Sequence, residues 1–357
     1  MIDFLIIGGG IAGLSAGARL SRHGKVTVLE AEDAIGYHAS GRSAALFEES
    51  YGPSSVVALN KASASFLRDE NGGYLTPRGL MLVGRKDQGR IFDQDSSDLN
   101  MQVIATEDAL ARVPILNPDT VGYAAVSDSA FDIDTDRLLQ DFARNIRGNG
   151  GDVLIRKKVT EIRKDGQWIV VAGQTFEARN LVNAAGAWVD EIAVLAGIAP
   201  IGITPKRRSM ARIPAPGGHD VRGWPMMLGV GESWYAKPDA GKLLVSPSEA
   251  DPVAPQDAYA DDMVLAEGLA RYEEMVTEPV TRVEATWAGL RSFAPDGTLV
   301  LGPDPSDPSF IWSAGQGGYG FQTAPAASQL VADLATGTPS QLDTGIIAAL
   351  SPERLRR

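Results

Sequence analysis

The sequence contains no cysteine, only three histidines and no long apolar run. Without cysteine, a disulfide framework, thiolate catalysis, zinc–thiolate or iron–sulfur centres and cysteinyl attachment of a cofactor are excluded. No apolar run reaches the ~18 residues that a membrane span requires, and the Met-Ile-Asp-Phe start lacks the basic segment of a signal peptide. No metal-ligand spacing is visible either. We therefore expect a cytoplasmic protein with no membrane span and no bound metal.

The chain also lacks an excess of positive charge. Over 357 residues, 33 lysines and arginines stand against 45 aspartates and glutamates, which gives a formal net charge of −12. Binding to nucleic acid requires clustered positive charge, so we expect no nucleic-acid partner. Hydrophobic residues make up 44% of the chain, as in ordinary globular proteins. At roughly 100–200 residues per domain, the length favours two domains or one large one.

The first thirty residues carry the ordered parts of a dinucleotide-binding unit. An apolar run over residues 3–8 predicts a buried parallel strand, and Gly8, Gly10 and Gly13 then satisfy G-x-G-x-x-G. A small-residue helix over 11–22 and a second strand over 25–30 follow. In such a unit the glycines allow a tight turn, close approach of a pyrophosphate, and close packing of helix on strand. Glu30 ends the second strand, where an acid accepts hydrogen bonds from a ribose. These features fit FAD and NAD equally.

Two further small-residue segments indicate other close approaches of the backbone to a ligand. Residues 36–45 read Gly-Tyr-His-Ala-Ser-Gly-Arg-Ser-Ala-Ala around Arg42. Residues 314–323, Ala-Gly-Gln-Gly-Gly-Tyr-Gly-Phe-Gln-Thr, open an alanine-rich helix. A glycine-rich helix start can hold anionic oxygen or the electron density of a ring.

These segments resemble the FAD-dependent D-amino-acid-oxidising family that includes glycine oxidase, sarcosine oxidase and D-amino-acid dehydrogenases, with bacterial D-arginine dehydrogenase as the nearest member. The resemblance spans essentially the whole chain. Besides residues 36–45, it rests on the segments Asp132-Ile-Asp-Thr-Asp136, Asn183-Ala-Ala-Gly-Ala-Trp188, Pro205-Lys-Arg-Arg-Ser209, Tyr235-Ala-Lys-Pro-Asp-Ala-Gly241, Thr286-Trp-Ala-Gly-Leu-Arg-Ser-Phe293 and Gln316-Gly-Gly-Tyr-Gly320. It implies FAD as the cofactor, and the lack of cysteine favours noncovalent binding.

The expected fold class is α/β, with a Rossmann-type FAD-binding domain and an inserted, mostly antiparallel α+β substrate domain. Residues 204–295 and 76–130 hold short β-like runs with frequent proline and glycine. We therefore assign residues 1–75, 131–203 and 296–357 to the FAD-binding domain, and 76–130 and 204–295 to the substrate domain. A helix is expected over 134–147, capped by Asp134 or Thr135. Trp188 is interpreted as a core residue, and the tail after Pro352 as a frayed end.

The fingerprint and the resemblance together imply a set of cofactor-binding residues. Within it, Val159 would contact adenine through its backbone, and His38 could touch the cofactor. The set comprises Gly8, Gly10, Ile11, Ala12, Gly13, Glu30, Ala31, His38, Ser40, Gly41, Arg42, Ser43, Ala44, Val159, Ala185, Gly186, Gly315, Gly317, Gly318, Tyr319 and Gly320.

Oxidising an amino acid requires an electron acceptor, a clamp for the carboxylate and a neutral amine. Arginine suits the clamp because its fork matches a carboxylate bidentately, and Arg208 and Arg291 are the candidates. The resemblance adds the hydroxyls of Tyr51 and Tyr235, and the backbone carbonyl of Gly318 as an acceptor for the substrate amine. No residue stands out as a general base, so we expect desolvation and nearby cations to lower the pKa of the amine, with water taking the proton.

The resemblance also suggests how the substrate side chain is selected. Relatives that oxidise basic D-amino acids are expected to place a carboxylate near the distal end of the substrate, where this chain has Leu80. Leu46 occupies a position that is polar in the arginine-oxidising relative. We therefore expect a preference for neutral, apolar D-amino acids. The reservation is Glu48, which could replace the missing acid if it points inward.

The resulting hypothesis is oxidative deamination of a D-amino acid by hydride transfer from Cα to the flavin. Besides the amino acid, the partner is an electron acceptor: a quinone, a dye-like acceptor or O₂. The dehydrogenase is favoured over the oxidase. The alternatives are an oxidase of glycine, sarcosine or another secondary amine, and a flavin-binding subunit without turnover.

Overall fold

The computed structural model describes residues 1–356. Over that range the strands are β1 (Ile2–Ile7), β2 (Val26–Leu29), β3 (Leu46–Phe47), β4 (Leu75–Pro77), β5 (Leu80–Arg85), β6 (Gln102–Ile104), β7 (Val121–Ser127), β8 (Phe131–Ile133), β9 (Asp152–Leu154), β10 (Glu161–Asp165), β11 (Gln167–Val171), β12 (Thr175–Asn183), β13 (Thr204–Ile213), β14 (Met226–Gly229), β15 (Tyr235–Asp239), β16 (Lys242–Ser246), β17 (Ala285–Phe293), β18 (Val300–Asp304) and β19 (Asp307–Ala314).

The α-helices are α1 (Ile11–Leu20), α2 (Ser54–Asp69), α3 (Gly89–Asp98), α4 (Thr106–Arg112), α5 (Thr135–Gly148), α6 (Val189–Leu195), α7 (Asp262–Glu273), α8 (Gly320–Thr336) and α9 (Thr344–Leu350). Short 3-10 helices lie at Glu70–Gly72, Gly186–Trp188, Pro216–Gly218, Val221–Gly223, Val230–Glu232 and Pro352–Leu355. None of these helices combines the length and apolar character needed to cross a bilayer, within residues 1–356.

Sheet A has a parallel centre in the order β9-β2-β1-β12-β19. β18 pairs antiparallel with β19, and β10 and β11 extend the first half of β12 as an antiparallel meander. β1 and β2 are nearly continuous buried apolar runs because helices or the meander cover both faces of the sheet. The carboxyl ends of β1, β2 and β12 meet at one edge, where nucleotide sites form in this class of sheet.

Helices α1, α5 and α8 cover one face of sheet A. The predicted helix over 134–147 is α5, and the Asp134 side chain caps it by accepting from the Arg137 N–H at 3.1 Å. On its inner face the buried side chains recur at helical spacing, from Leu138 and Leu139 to Phe142 and Ile146. Each side chain of this size stabilises the fold by about 1.5–3 kcal/mol when it is fully buried.

Sheet B has the order β17-β13-β16-β15-β14-β5-β7-β6. Its pairings are antiparallel except that β14 runs parallel to β5. Residues 80–127 and 204–293 thus contribute strands to one sheet, which agrees with the expected α+β lobe. The two segments join where β5 meets β14. The fold class predicted from the sequence is confirmed.

A small three-stranded sheet has the order β3-β8-β4. In the sequence its strands stand where the chain passes from sheet A to sheet B, for β3 and β4, and back again, for β8. Asp132 on β8 forms ion pairs with Arg78 at 2.7 Å and with Lys237 of sheet B at 2.8 Å. Lys237 Nζ also donates to the carbonyls of Ala44 and Ala45 at 2.9 and 3.1 Å. This charged cluster ties sheet B to residues 44–45. The domain boundaries at 75/76 and 130/131 fall in this region and remain a prediction.

The carboxyl-terminal segment is docked, so the expectation of a frayed end after Pro352 is wrong up to Arg356; Arg357 lies outside the described residues. Arg354 donates to Asp296 and Thr298. Arg356 forms an ion pair of 2.5 Å with Asp304, whose side chain is fully buried. Asp304 also accepts from Trp312 Nε1 at 2.9 Å. The expectation failed because it considered only the local sequence, whereas the partners lie about fifty residues earlier.

We expect Arg356→Gln to destabilise the protein by about 1–3 kcal/mol at neutral pH, because it leaves the Asp304 carboxylate buried with one donor fewer. Burial raises the pKa of Asp304, but bonds from Ser306, Arg356 and Trp312 outweigh it and hold that pKa below 3.8. A depressed carboxyl pKa stabilises the fold above the unfolded value and loses that effect as pH falls. The difference between variant and wild type should therefore shrink below pH 3.8.

Urea unfolding at several pH values measures this difference. The matched control is Arg163→Gln, which removes an arginine from an exposed pair with Glu161 and should change stability by less than about 0.5 kcal/mol. Equal stability of Arg356→Gln and wild type at neutral pH would contradict the account.

Candidate functional site

The loop between β1 and α1 is shaped by glycines. Gly8 has φ +111°, and a Cβ there would lie 2.3 Å from the Ala184 carbonyl oxygen. A Cβ on Gly13 would lie 1.9 Å from the Gly8 carbonyl oxygen, so only glycine lets α1 pack this closely on β1. A Cβ on Gly10 would approach Ser40 Oγ to 3.1 Å. The loop therefore follows the predicted roles of turn and close packing.

Glu30 follows β2 at the same edge of sheet A and is 8% exposed. Its carboxylate accepts from the backbone N–H groups of Gly9 at 2.7 Å and Glu32 at 2.9 Å. A carboxylate has about four acceptor sites, so acceptor capacity remains after these two bonds. Glu30 both orders the glycine loop and presents an acceptor to the groove beside it.

We call this space the cofactor groove, a cleft of about 520 Å³ along the carboxyl edge of sheet A. Of the predicted cofactor residues, those that line it are Gly8, Gly10, Glu30, Ala31, His38, Ser40, Arg42, Val159, Ala185 and Gly186. They come from five separate segments of the chain. Side-chain-free backbone at one end and an acceptor at the end of β2 suit a pyrophosphate and a ribose, so the residues present fit FAD.

Sequence reasoning missed part of the groove wall. Trp188 is half-buried and packs against the buried cluster of Ala187, Ala258, Ala288 and Leu290, in line with its interpretation as a core residue. It also lines the groove, with its ring centroid 4.7 Å from that of His38. His38 Nε2 lies 3.0 Å from Glu32 Oε1. Lys157 and Lys158, just before Val159, also line the groove. The Asn183-Ala-Ala-Gly-Ala-Trp188 motif was the signal that could have placed Trp188 here.

Arg42 lies where the groove meets a second cavity, but its charge is already neutralised. It forms an ion pair of 2.5 Å with Asp257 and donates to the carbonyls of Ala258 at 3.0 Å and Ala288 at 2.9 Å. The bond from Arg42 lowers the pKa of Asp257. Its guanidinium thus attaches residues 257–258 to the loop of residues 36–45, an interaction that the sequence did not indicate.

The second cavity, which we call the substrate cavity, has a volume of about 220 Å³ and lies between sheet B and the start of α8. It shares Ala39, Ser40, Arg42, Gly289 and Leu290 with the cofactor groove. Predicted cofactor residues on its wall are Ile11, Ser43, Ala44, Gly317, Gly318 and Gly320. The remaining predicted cofactor residues, Ala12, Gly13, Gly41, Gly315 and Tyr319, line neither space.

Arg208 and Arg291 stand on adjacent strands of sheet B. Arg208 on β13 pairs with Gly289 on β17, so Arg291, two residues further on, is its diagonal neighbour on the same face. Both line the substrate cavity. Neither guanidinium has a carboxylate partner at salt-bridge distance among residues 1–356. Arg208 Nε is buried and has no hydrogen-bond partner within that range.

The two arginines influence one another and their surroundings. Burial and the positive charge of Arg291 lower the pKa of Arg208. Burial also acts to lower the pKa of Arg291, but Tyr51, Tyr235 and Glu232 raise it above its ordinary value. Gly318 makes room for Arg291, since a Cβ there would lie 1.7 Å from its Nη2. The result is a concentrated positive charge that an anionic ligand would balance.

Hydroxyl groups surround this charge. Tyr51 and Tyr235 line the cavity, and the guanidinium carbon of Arg208 lies 6.0 Å from the Tyr235 ring centroid. Tyr51 donates to Glu232 Oε1 at 3.2 Å and packs against Tyr319, with centroids 5.5 Å apart. Glu232, which is exposed and has φ +50°, was not identified from the sequence. Burial raises the pKa of Tyr51, so its hydroxyl acts as a neutral hydrogen-bonding group.

The far side of the cavity is apolar, as expected, except for one carboxylate. Leu46 and Leu80 line it together with Leu99, Met226 and Leu228. Glu48 also lines it, and its side chain is buried, with a residue exposure of 5%. The predicted apolar preference depended on Glu48 pointing elsewhere, so that preference is revised below. Gln322, missed although it lies in a quoted motif, contacts Glu48 from α8.

Within residues 1–356 no group of three or more acidic, histidine or cysteine side chains is arranged to hold a metal ion.

Comparison with known proteins agrees with the geometry. The family model described as "FAD dependent oxidoreductase" (DAO) matches residues 3–334. The chain belongs to this family. It is therefore an FAD-dependent oxidoreductase, and FAD is its cofactor.

Similar proteins cover nearly the whole chain. Glycine oxidase of Bacillus licheniformis is 24% identical over 387 residues, covering 99% of this chain and 97% of that protein. The crystal structure of L-proline dehydrogenase from P. horikoshii has a TM-score of 0.83 at 21% identity, covering 100% and 98% of the two chains. The FAD-bound L-alpha-glycerophosphate oxidase of Mycoplasma pneumoniae has a TM-score of 0.82 at 20% identity, covering 94% of each chain. These structures share the fold of this FAD-dependent oxidoreductase.

If Glu30 holds the ribose of FAD as predicted, Glu30→Ala should raise the dissociation constant for FAD at least about tenfold. Removing a charged acceptor costs about 1.5–3 kcal/mol. The dissociation constant of Glu30→Gln, which keeps one acceptor oxygen, should lie between those of Glu30→Ala and wild type. Fluorescence titration of apoprotein with FAD measures these constants. The control is Glu161→Ala, an exposed acid on β10. Wild-type affinity in Glu30→Ala would contradict the assignment.

Proposed function

We propose that this FAD-dependent oxidoreductase oxidises the Cα–N bond of an amino acid, preferentially a D-amino acid, to an imino acid that then hydrolyses. The observation that carries the proposal is the adjacent pair Arg208 and Arg291, which lacks a carboxylate partner among residues 1–356 and lines a cavity continuous with the cofactor groove. A charged pair of this kind is costly to bury unless a ligand supplies the counter-charge.

In this proposal the arginines bind the substrate carboxylate through charge-assisted hydrogen bonds and fix its orientation. Tyr235 donates a further hydrogen bond, and Tyr51 does so when its O–H turns from Glu232 to the substrate. The Gly318 carbonyl accepts from the substrate amine. Bound FAD supplies the two-electron acceptor. The positive charge and the desolvation of the bound substrate favour the neutral amine. The ammonium proton passes to water as the substrate enters, because no histidine lines the substrate cavity in the described part of the chain.

The preference for the D-enantiomer is supported by the ordered family motifs and requires a direct test. Anaerobic addition of D- and L-forms of the same amino acid should bleach the flavin absorbance, with the D-form faster. Faster reduction by the L-form would contradict the stereochemical part of the proposal. No bleaching by any amino acid or N-methyl amine would contradict the whole. We also propose that FAD is bound noncovalently. A cytoplasmic location of the protein is proposed as well.

A second candidate is oxidation of glycine or of a secondary amine such as sarcosine. It is supported by the similarity to glycine oxidase and to a protein named N-methyl-L-tryptophan oxidase. The same anaerobic measurement with glycine and sarcosine distinguishes the two candidates. A flavin-binding subunit without turnover is the less favoured alternative. Such a protein would not require two cavity-lining arginines without a carboxylate at salt-bridge distance among residues 1–356.

We expect Arg208→Met and Arg291→Met each to lower kcat/KM by about tenfold or more, since each change removes a charge-assisted pair that stabilises binding by about 1.5–3 kcal/mol. Steady-state kinetics measure the loss. The control is Arg207→Met, because Arg207 on the same strand pairs with Asp251 and Asp261 away from the cavity. Unchanged kcat/KM in both cavity variants, or an equal loss in the control, would contradict the clamp.

We propose that the electrons leave through a quinone or a dye-like acceptor and not through O₂. During aerobic turnover without an added acceptor, hydrogen peroxide should therefore form much more slowly than imino acid forms with phenazine methosulfate present. A peroxide assay run beside a 2-oxo-acid assay measures both rates. Peroxide formation at the rate of the dye-coupled reaction would identify an oxidase instead.

A further inference from the structure

The buried carboxylate of Glu48 lacks a strong partner. Its Oε1 accepts from the Ser50 N–H at 3.2 Å, and its Oε2 has contacts of 3.4 Å with Ser127 Oγ and Ser129 Oγ. The two serines bond to each other at 2.8 Å, a much shorter distance. No lysine, arginine or histidine of residues 1–356 lies at salt-bridge distance. A buried carboxylate this weakly satisfied has unused acceptor capacity.

Gln322 on α8 places an unused donor beside it. Its Oε1 accepts from the Glu48 backbone N–H at 3.2 Å, which assigns the orientation of the amide, because an N–H can only donate. The other end, Nε2, is buried and has no partner among the described residues. Gln322 is 3% exposed and lines the substrate cavity. Gln322 therefore carries an unpaired buried donor on a side chain whose other end contacts the Glu48 backbone.

The position of the pair in the cavity is set by sheet B. Ser127, which contacts Glu48, is the cross-strand partner of Leu80 in the β5–β7 pairing. Directly opposed residues of antiparallel strands project to the same face, so the Glu48 carboxylate reaches the region that Leu80 lines. The carboxylate-binding arginines lie on β13 and β17, separated from β5 by β16, β15 and β14 in the sheet order. The Glu48 carboxylate therefore lies in the distal part of the cavity, and Gln322 adjoins it through its contact with the Glu48 backbone N–H.

We propose that Glu48 and Gln322 form a distal subsite for a substrate side chain that ends in a carboxamide. The amide N–H of the substrate donates to the Glu48 carboxylate, and its carbonyl accepts from Gln322 Nε2. An apolar side chain leaves both groups unpaired, and an ammonium group satisfies only Glu48. The surrounding leucines and Met226 contact the methylene groups. This inference rests on the proposed function, in which the arginines hold the other end of the substrate.

Burial raises the pKa of Glu48 above its ordinary value, despite the contacts from Ser50, Ser127 and Ser129. A raised pKa is expected for a buried carboxylate that accepts too few hydrogen bonds to stabilise its ionised form. An N–H donor from a ligand would stabilise the ionised form, as the subsite requires.

The test measures binding of carboxylates that lack the amine and so cannot be oxidised. Isothermal titration calorimetry of the FAD-loaded protein compares 4-carbamoylbutanoate with its near-isostere 5-methylhexanoate. We expect the amide to bind about tenfold more tightly, a typical effect of hydrogen bonding to a charged group. In Glu48→Leu this preference should disappear or reverse. Glu49→Gln is the matched control, because the neighbouring Glu49 pairs with Arg68 outside the cavity.

Three outcomes would overturn the subsite. One is equal or tighter binding of 5-methylhexanoate by wild type. Another is tighter binding of 5-aminopentanoate than of the amide, which would indicate a site for a cation. The third is an equal weakening of propanoate and 4-carbamoylbutanoate in Glu48→Leu, because propanoate has no distal group and such a loss indicates a structural role. Since binding requires no turnover, these outcomes are independent of whether amino acids bleach the flavin.

Discussion

Charged side chains fasten sheet B to the loop of residues 36–45, which borders both the cofactor groove and the substrate cavity. Asp132 stands between Arg78 and Lys237, and Lys237 also holds the carbonyls of Ala44 and Ala45. Arg42 makes a second attachment to Asp257 and to two carbonyls. Removing one partner of these ion pairs would leave a poorly solvated charge. These contacts hold the substrate cavity beside the cofactor groove.

Within that frame the charge on the cavity wall is unequal. Arg208 and Arg291 are diagonal neighbours with no carboxylate at salt-bridge distance among residues 1–356, and Glu232 offsets their charge from further away. Glu48 lies at the other end, with no lysine, arginine or histidine of those residues at salt-bridge distance. The separation gives the cavity a direction: a carboxylate is favoured at one end and a hydrogen-bond donor at the other. Glycine at 318 leaves the space that the Arg291 guanidinium occupies, so the clamp depends on a missing side chain as much as on its charges.

The sequence predicted those features whose causes are local in the chain. The β1–α1–β2 unit with Gly8, Gly13 and Glu30 follows from spacing alone, and the motif residues around Arg208 and Arg291 do meet at one cavity. The features it missed depend on contacts distant in sequence. Arg42 and Asp257 are 215 residues apart, and Glu48 and Gln322 are 274 apart. Periodicity carries no information on such pairs, nor on the direction in which Glu48 points.

The central claim is that the substrate carboxylate binds the two arginines within reach of FAD. It is tested most directly by anaerobic flavin reduction, comparing a D-amino acid with the amine that remains when its carboxylate is removed. The account predicts that the amino acid bleaches the flavin at least about tenfold faster at equal concentration, because only the amino acid gains the charge-assisted bonds. Reduction by the amine at the same rate or faster would contradict it.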